Sequence, residues 1–290
     1  GARGRDPAPA GREPAGERAP APRSRASGPL PAFAAVLSRQ SGCPPEGRGR
    51  ENEAAKTLHA IEKMTPLMKK PDLLFILSPH QPYSHGALFV NSAENYYGSF
   101  ALFGVPEVKI DIASGDNYSL CSFLENSGTN IHKQSFDNLT HDQGTLVPLY
   151  FLRKIWGNLP QVIIASPIGL TPEQAFSMGQ SMAEFHTDKN LALLASGDLS
   201  HRLTPDAPAG YEPDYAPVFE AAVEEALKIS SPEPILALDE ITLERAGECG
   251  LRSVMTMLGL VGSMHDAKIQ IFSHEWPFGV GYCNALWRKS

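Results

Sequence analysis

The sequence predicts an α/β protein, built as a single three-layer α/β/α domain around a central, mixed but mostly parallel sheet. Three short apolar runs, each closed by a Ser-Pro or Ser-Gly turn, are typical of strands buried on both faces of a sheet. A segment with helical periodicity lies between the second and third runs. The order strand, helix, strand indicates a parallel core, because parallel strands need a crossover connection.

The three buried strands are predicted at residues 73–77, 162–165 and 191–195. Helices are predicted from the spacing of apolar residues and from their first turns. Thr171, for example, is followed directly by Pro and Glu, an order that is typical of a helix start. The predicted helices are 51–65, 172–188, 215–229 and 248–260, and the closing strands, predicted as an antiparallel pair, are 267–273 and 279–286.

Residues 1–31 differ in composition from the rest of the chain. They consist mainly of Ala, Pro, Gly and Arg, with hardly any bulky apolar side chain, so burial cannot offset the entropy of ordering them. We therefore expect a disordered tail over 1–31 and a folded domain over 32–290. The chain of 290 residues is long enough to form one large hydrophobic core.

Charge is divided unevenly along the chain. Residues 1–50 hold nine Arg and four acidic residues, whereas residues 51–290 hold 16 basic and 28 acidic residues, a net charge of −12. An acidic body disfavours nucleic acid as a partner, because a phosphate backbone demands a basic face.

Other classes of protein are disfavoured by the pattern of apolar residues and cysteines. No run of about 18 apolar residues and no apolar leader is visible, so neither a membrane span nor a secretory signal is indicated, and we expect a cytoplasmic protein. The four cysteines show no C-x-x-C spacing, which disfavours a zinc knuckle and favours reduced thiols.

Two histidines follow predicted strands directly. His80 comes after Ser-Pro at the end of the first buried strand, and His201 follows the third in Ser-Gly-Asp-Leu-Ser-His, where Asp198 could orient it. Ligands of open α/β sheets bind at the carboxyl ends of the strands, so we expect both histidines to face one crevice. Hydrogen-bonded loop histidines are the alternative. The other histidines show no partner in the sequence.

Two further segments have a functional and a structural interpretation. Glu248 lies between glycines at the start of a predicted helix, as a site carboxylate or as a helix cap, and its neighbour Cys249 is interpreted as a small buried residue. Asp142 and Gln143 lie in a polar turn that opens an apolar stretch. They would contact a substrate or cap a helix.

In this order, the segments resemble the LigB-like class III extradiol dioxygenases, especially the branch associated with the AmmeMemoRadiSam system and related to Memo proteins. The resemblance runs from about Ala32 to Trp287. It includes the segments 47–51, 103–107, 146–152, 196–203 and 277–282.

The resemblance implies a metal and a set of roles. Active members hold a non-haem Fe(II) with two His and one Glu, and leave open positions for a catecholic substrate and O₂. By position, His80 matches the second ligand histidine, Glu248 the carboxylate ligand and His201 the acid–base group. Asp142, Gln143 and Asp198 would lie around the substrate. A small aromatic substrate, O₂, and a homodimer or a small partner subunit are implied as partners.

Two departures from the family pattern leave the activity open. The family's first ligand lies in Pro-His-Pro-Pro on the first strand, but residues 34–40 contain no histidine, and the family's Asp-His-Gly is Asp-Gln-Gly here, with Gln143 in the middle. His85 or His141 could replace the missing ligand, and a sequence error before residue 47 is a further explanation. The alternatives to a dioxygenase are a degenerate homologue that serves as a binding module, and a Memo-like redox or metal protein that uses Cys249.

Overall fold

The computed structural model describes Gly1, the backbone of 33–37, and residues 54–264 and 267–288. The disordered tail predicted over 1–31 therefore lies outside the described residues, apart from Gly1. So does Cys43, whereas Cys121, Cys249 and Cys283 form no disulfide bond within the described part of the chain.

The described residues form ten strands and eight α-helices. The strands are β1 (Phe33–Leu37), β2 (Leu73–Leu77), β3 (Leu88–Asn91), β4 (Asn95–Phe100), β5 (Val105–Ala113), β6 (Ile131–Gln134), β7 (Gln161–Ser166), β8 (Leu191–Ser196), β9 (Gln270–Glu275) and β10 (Tyr282–Arg288). The helices are α1 (Ala55–Met64), α2 (Tyr118–Asn126), α3 (Gln143–Trp156), α4 (Pro172–Met182), α5 (Ala216–Ile229), α6 (Glu233–Leu236), α7 (Glu240–Ala246) and α8 (Leu251–Gly262).

Eight of the strands form one mixed sheet in the order β6-β3-β7-β2-β8-β1-β10-β9. At its centre β7, β2, β8 and β1 run parallel to one another. Antiparallel pairs join β3 to β7, β1 to β10, and β10 to β9. Strands β4 and β5 form a separate two-stranded sheet. The predicted α/β fold with a mostly parallel mixed sheet is confirmed, and so is the closing antiparallel pair.

The two faces of the sheet carry separate cores, which makes three layers. Every residue of β2 is buried, as expected for a strand covered on both faces. Leu73, Phe75 and Leu77 pack into the core beneath α4, α5 and α8. Leu74 and Ile76 pack into the other core, beneath α1 and α3.

The main differences from the predicted elements are at their ends. The helix predicted over 172–188 ends at Met182, because the next N–H groups turn back to carbonyls three residues earlier, as in a tightening last turn. The helix predicted from 248 begins at Leu251, since Glu248 to Gly250 form the turn that precedes it. No prediction covers the elements between β2 and α3, where polar loops separate short strands.

Candidate functional site

The candidate site lies at the carboxyl ends of β2 and β8, which are neighbouring parallel strands. Leu77 of β2 is paired with Ala195 of β8, so the two loops that follow leave the sheet side by side. The first loop carries His80, and the second carries Asp198 and His201. The two predicted histidines therefore lie on adjacent loops, at the edge where open α/β sheets bind ligands.

A close glycine contact joins the loop after β8 to the start of α8. Gly197 has a φ of 141°, and a Cβ at this position would lie 2.5 Å from the Cα of Gly250. Only glycine allows this conformation and this approach of two backbones. The carbonyl of Asp198 accepts hydrogen bonds from the N–H groups of Gly250 at 2.8 Å and of Cys249 at 3.2 Å. The contact therefore places Asp198 beside Cys249.

Asp198, His201 and Cys249 form a group that we call the Asp–His–Cys cluster. Asp198 Oδ2 lies 3.6 Å from His201 Nε2, and the same nitrogen lies 3.9 Å from Cys249 Sγ. The backbone N–H of Asp198 also donates a hydrogen bond to the sulfur at 3.2 Å. One ligand atom from each of the three residues lies within 4.8 Å of the others.

This geometry is suited to a metal ion. Within residues 54–264 and 267–288, the cluster is the one group of three His, Cys, Asp or Glu residues with ligand atoms close enough together to hold a metal ion. It offers a carboxylate, an imidazole and a thiol, and imidazole is a good ligand for iron, zinc and copper. The side chain of His201 is 27% exposed and that of Asp198 is 6% exposed. The imidazole is thus partly accessible to solvent, whereas the carboxylate is buried.

Glu248 has partners on α8 in addition to its place beside Cys249. One carboxylate oxygen is paired with the guanidinium of Arg252, and the other accepts the N–H of Leu251 at 2.6 Å, at the start of α8. The side chain is 5% exposed. Burial raises the pKa of the Glu248 carboxyl, whereas Arg252, the hydrogen bond from Leu251 and the charge interaction with His201 act in the opposite direction. The helix-capping interpretation of Glu248 is thus confirmed, and its role as a metal ligand stays a prediction.

The polar turn before α3 also has a structural role. Asp142 caps α3 by accepting the N–H of Thr145 at 3.0 Å, and it also accepts the hydroxyl of Thr145 at 2.6 Å. Ser78 and Gln81, from the loop after β2, donate to the same buried carboxylate. The hydrogen bonds to Thr145 confirm the capping interpretation. Through Ser78 and Gln81, Asp142 also ties α3 to the loop that carries His80. Gln143 is the half-buried first residue of α3. A substrate contact for either residue stays a prediction.

The remaining histidines of interest lie outside the Asp–His–Cys cluster. His80 is exposed, and a Cβ on Gly144 would lie 3.1 Å from its Cδ2, so the ring packs against the start of α3. His85 is exposed and contacts Tyr83 at 3.0 Å, and His141 is exposed as well. The family's first ligand would follow β1, beside β8, but residues 38–40 lie outside the described part of the chain.

One interpretation made from the sequence is wrong. Cys249 was expected to be a small buried residue, but it is half-buried and contacts both His201 and Asp198. Its place in the sequence was a signal that could have identified it. Cys249 lies between the predicted site carboxylate of Glu248 and Gly250, in the turn that leads into α8.

A family model described as the catalytic LigB subunit of aromatic ring-opening dioxygenase matches residues 39–284. Protein CA_C1420 of Clostridium acetobutylicum is 30% identical over 253 residues, which are 82% of this chain and 53% of that protein. The chain thus spans about half the length of this curated relative.

Among solved structures, the fold is similar to the crystal structure of the uncharacterized protein JW3007 from Escherichia coli K12. The TM-score is 0.55 and the sequence identity is 13%, with 88% of this chain and 99% of that chain covered. At this identity the likeness supports the fold alone.

Proposed function

Because the chain belongs to the LigB family, described as the catalytic subunit of aromatic ring-opening dioxygenase, we propose that it is an oxidoreductase that opens the ring of a catechol-like aromatic with O₂. The observation that carries this proposal is the Asp–His–Cys cluster, a group able to hold a metal ion at the ligand-binding edge of the sheet. Ferrous iron is the ion that the resemblance implies.

The donor atoms fit a metal ion, and in our proposal Asp198, His201 and Cys249 hold it. The pair that the resemblance implies, His80 and Glu248, fits less well, because both carboxylate oxygens of Glu248 already have partners. When bound, ferrous iron would supply open positions for the two substrate oxygens and for O₂.

Two assignments of roles follow, and they differ at His201. If His201 holds the ion, the exposed imidazole of His80 on the adjacent loop takes the phenolic proton of the substrate. If His80 and Glu248 hold it, His201 takes that proton, and Asp198 at 3.6 Å orients its ring. In either case two imidazoles at one sheet edge divide ligation and proton transfer between them.

Loading with Fe(II) under anaerobic conditions tests the proposal. The protein is then assayed with a panel of catechols for the absorbance of the ring-opened product. We expect iron uptake and turnover, and the absence of both would contradict the proposal.

Paired variants separate the two ligand sets. Cys249→Ser should abolish most iron uptake if the Asp–His–Cys cluster holds the ion, while Glu248→Gln should retain it. The opposite result would favour Glu248 as the ligand. Cys121→Ser is the matched control, since it removes a buried thiol in α2 and should change neither uptake nor turnover.

A degenerate homologue that binds an aromatic without opening it is the second candidate. It is favoured by the pairing of Glu248 with Arg252, which neutralises the carboxylate without a metal, and by Gln143, whose amide cannot titrate. Catechol binding without iron uptake or turnover would support this candidate.

Partners and location are proposed only from the sequence. We propose a small aromatic and O₂ as substrates, a homodimer or a small partner subunit, no nucleic acid and a cytoplasmic location. Within the described residues, no helix has both the length and the apolar character to cross a membrane.

A further inference from the structure

A network of charged side chains on α5 and β9 lies directly behind the Asp–His–Cys cluster. Glu220 of α5 is 3% exposed, and its carboxylate joins two other elements. Oε1 accepts the backbone N–H of Ser200 at 2.7 Å, and Oε2 lies 2.6 Å from Nε2 of His274 on β9. Since Ser200 directly precedes His201, this carboxylate holds the backbone that carries the site imidazole.

His274 lies between two carboxylates. Its Nδ1 lies 3.0 Å from Glu224 Oε2, and its side chain is 7% exposed. Burial opposes a charge on this imidazole, but the hydrogen bonds to Glu220 and Glu224 outweigh burial and raise the pKa of His274. With both ring nitrogens engaged, the ring fixes the orientation of the Glu220 carboxylate. No partner for His274 was visible in the sequence.

The loop that Glu220 holds is also tied on its other sides. Leu199 donates its N–H to the carbonyl of Gly281 at 2.9 Å, and Gly281 donates its own to the carbonyl of Ser200 at 2.7 Å. The Ser200 hydroxyl donates to the carbonyl of Ala246 at 2.7 Å. A Cβ on Gly281 would lie 2.3 Å from Glu220 Oε1, so the carboxylate fits tightly against this backbone.

We propose that Glu220 and His274 are positioning residues, which hold the backbone before His201 so that its ring stays within reach of Asp198 and Cys249. A hydrogen bond to a buried carboxylate is charge-assisted and stronger than a neutral one, so its loss should free the loop. The role given to His201 rests on the proposed function, whereas the contacts behind it exist without any bound ion.

The test compares Glu220→Ala with Glu275→Ala. Glu275 follows His274 on β9, but its carboxylate accepts the N–H and hydroxyl of Thr57 on α1, at 2.6 and 2.7 Å. It is thus a matched control that removes a carboxylate from a different contact. The probe is Co(II) alone, followed by the absorption of a cobalt–thiolate bond. The second measurement is amide hydrogen exchange of the peptide that covers 199–203.

We expect Glu220→Ala to weaken Co(II) binding about tenfold, the lower end of the effect of outer partners on metal sites. It should also speed exchange over 199–203. Glu275→Ala should change neither measurement. Equal values for both variants would overturn the proposal, because a merely structural carboxylate would not act selectively on this loop.

If Glu220→Ala does not fold, Glu220→Gln and Glu275→Gln take the place of the alanine variants. The amide retains an acceptor for Ser200 but not the charge that faces His274, so we expect a smaller change in the same direction. If the unmodified protein binds no Co(II), the metal site of the proposed function fails. Exchange over 199–203 then decides the positioning role alone, and unchanged exchange in the Glu220 variants overturns it.

Discussion

His201 lies in the loop after β8, and His274 lies on β9 and is linked to that loop through Glu220, yet the surroundings of the two rings differ. His201 is 27% exposed, and its nearest acidic and sulfur partners are at 3.6 and 3.9 Å. His274 is 7% exposed and contacts two carboxylates at 2.6 and 3.0 Å. The first pair of distances is longer than an ordinary hydrogen bond to oxygen, and the second is typical of one.

The difference indicates that one histidine is suited to binding a metal ion or a proton and that the other holds neighbouring side chains in place. A ring nitrogen with distant partners and an open side can accept a metal ion or a proton without breaking strong bonds. A buried ring between two carboxylates would leave uncompensated charge if it moved. We therefore expect His201 to change partners during function and His274 to stay fixed.

The largest effect expected is the loss of stability on replacing His274 by Ala. The substitution leaves the carboxylate of Glu220 buried without its cationic partner, and breaking such a pair costs about 3–5 kcal/mol. Urea denaturation monitored by circular dichroism measures the free energy of unfolding.

His201→Ala is the counterpart of this variant. It removes an imidazole with long contacts from a partly exposed position, so we expect a loss of about 1 kcal/mol or less in the free energy of unfolding. Iron uptake or turnover should nevertheless be lost. Equal losses of stability in the two variants would contradict the division between a mobile and a fixed histidine.

The next largest effect concerns the tight contact at Gly281. In Gly281→Ala the new methyl group would lie 2.3 Å from Glu220 Oε1, and that carboxylate cannot withdraw without losing Ser200 or His274. Overpacking of this kind costs about 1–3 kcal/mol in the free energy of unfolding.

A double-mutant cycle with Glu220→Ala, which removes the side-chain atoms that the new methyl group would meet, checks the cause. Because the two residues are in contact, their effects should couple rather than add. Additive losses would show that Gly281 acts on stability without Glu220, and the network would then be smaller than the distances indicate.

Local pattern explains which parts of the fold were predictable. The apolar runs of β2, β7 and β8 predicted these strands because strands covered on both faces must be apolar throughout. His201 and Asp198 were also predicted, since they follow such a strand within one short loop. The ends of α4 and α8 were not, because single turns and caps decide them.

The side-chain contacts of Glu248, Cys249 and Glu220 were less predictable from the sequence. Sequence could not show that Cys249 contacts His201, whereas an Arg four residues after Glu248 was a signal for the helix ion pair of that carboxylate. Glu220 was not identified as a partner of His274 because 54 residues separate them. Only the packing of α5 beneath β9 and the loop after β8 joins these side chains.

The smallest of these effects is on the pH dependence of stability. The groups that face His274 are Glu220 and Glu224 on α5, with Lys228 paired to Glu224, and the Cys283 thiol across the strand pair. The pKa of His274 is raised in the folded protein because the carboxylates outweigh burial. Its contribution is therefore complete below the ordinary value of about 6.5 and is lost as pH rises through the folded value.

We accordingly expect the free energy of unfolding to decrease as pH rises above about 6.5, measured by urea titrations at a series of pH values. His274→Gln is the control, because an amide cannot titrate and the other histidines remain. The difference between the two proteins isolates His274. A parallel pH dependence in both would mean that the pKa of His274 is the same in the folded and the unfolded protein, and the two carboxylates would then not stabilise a charged imidazole at this position.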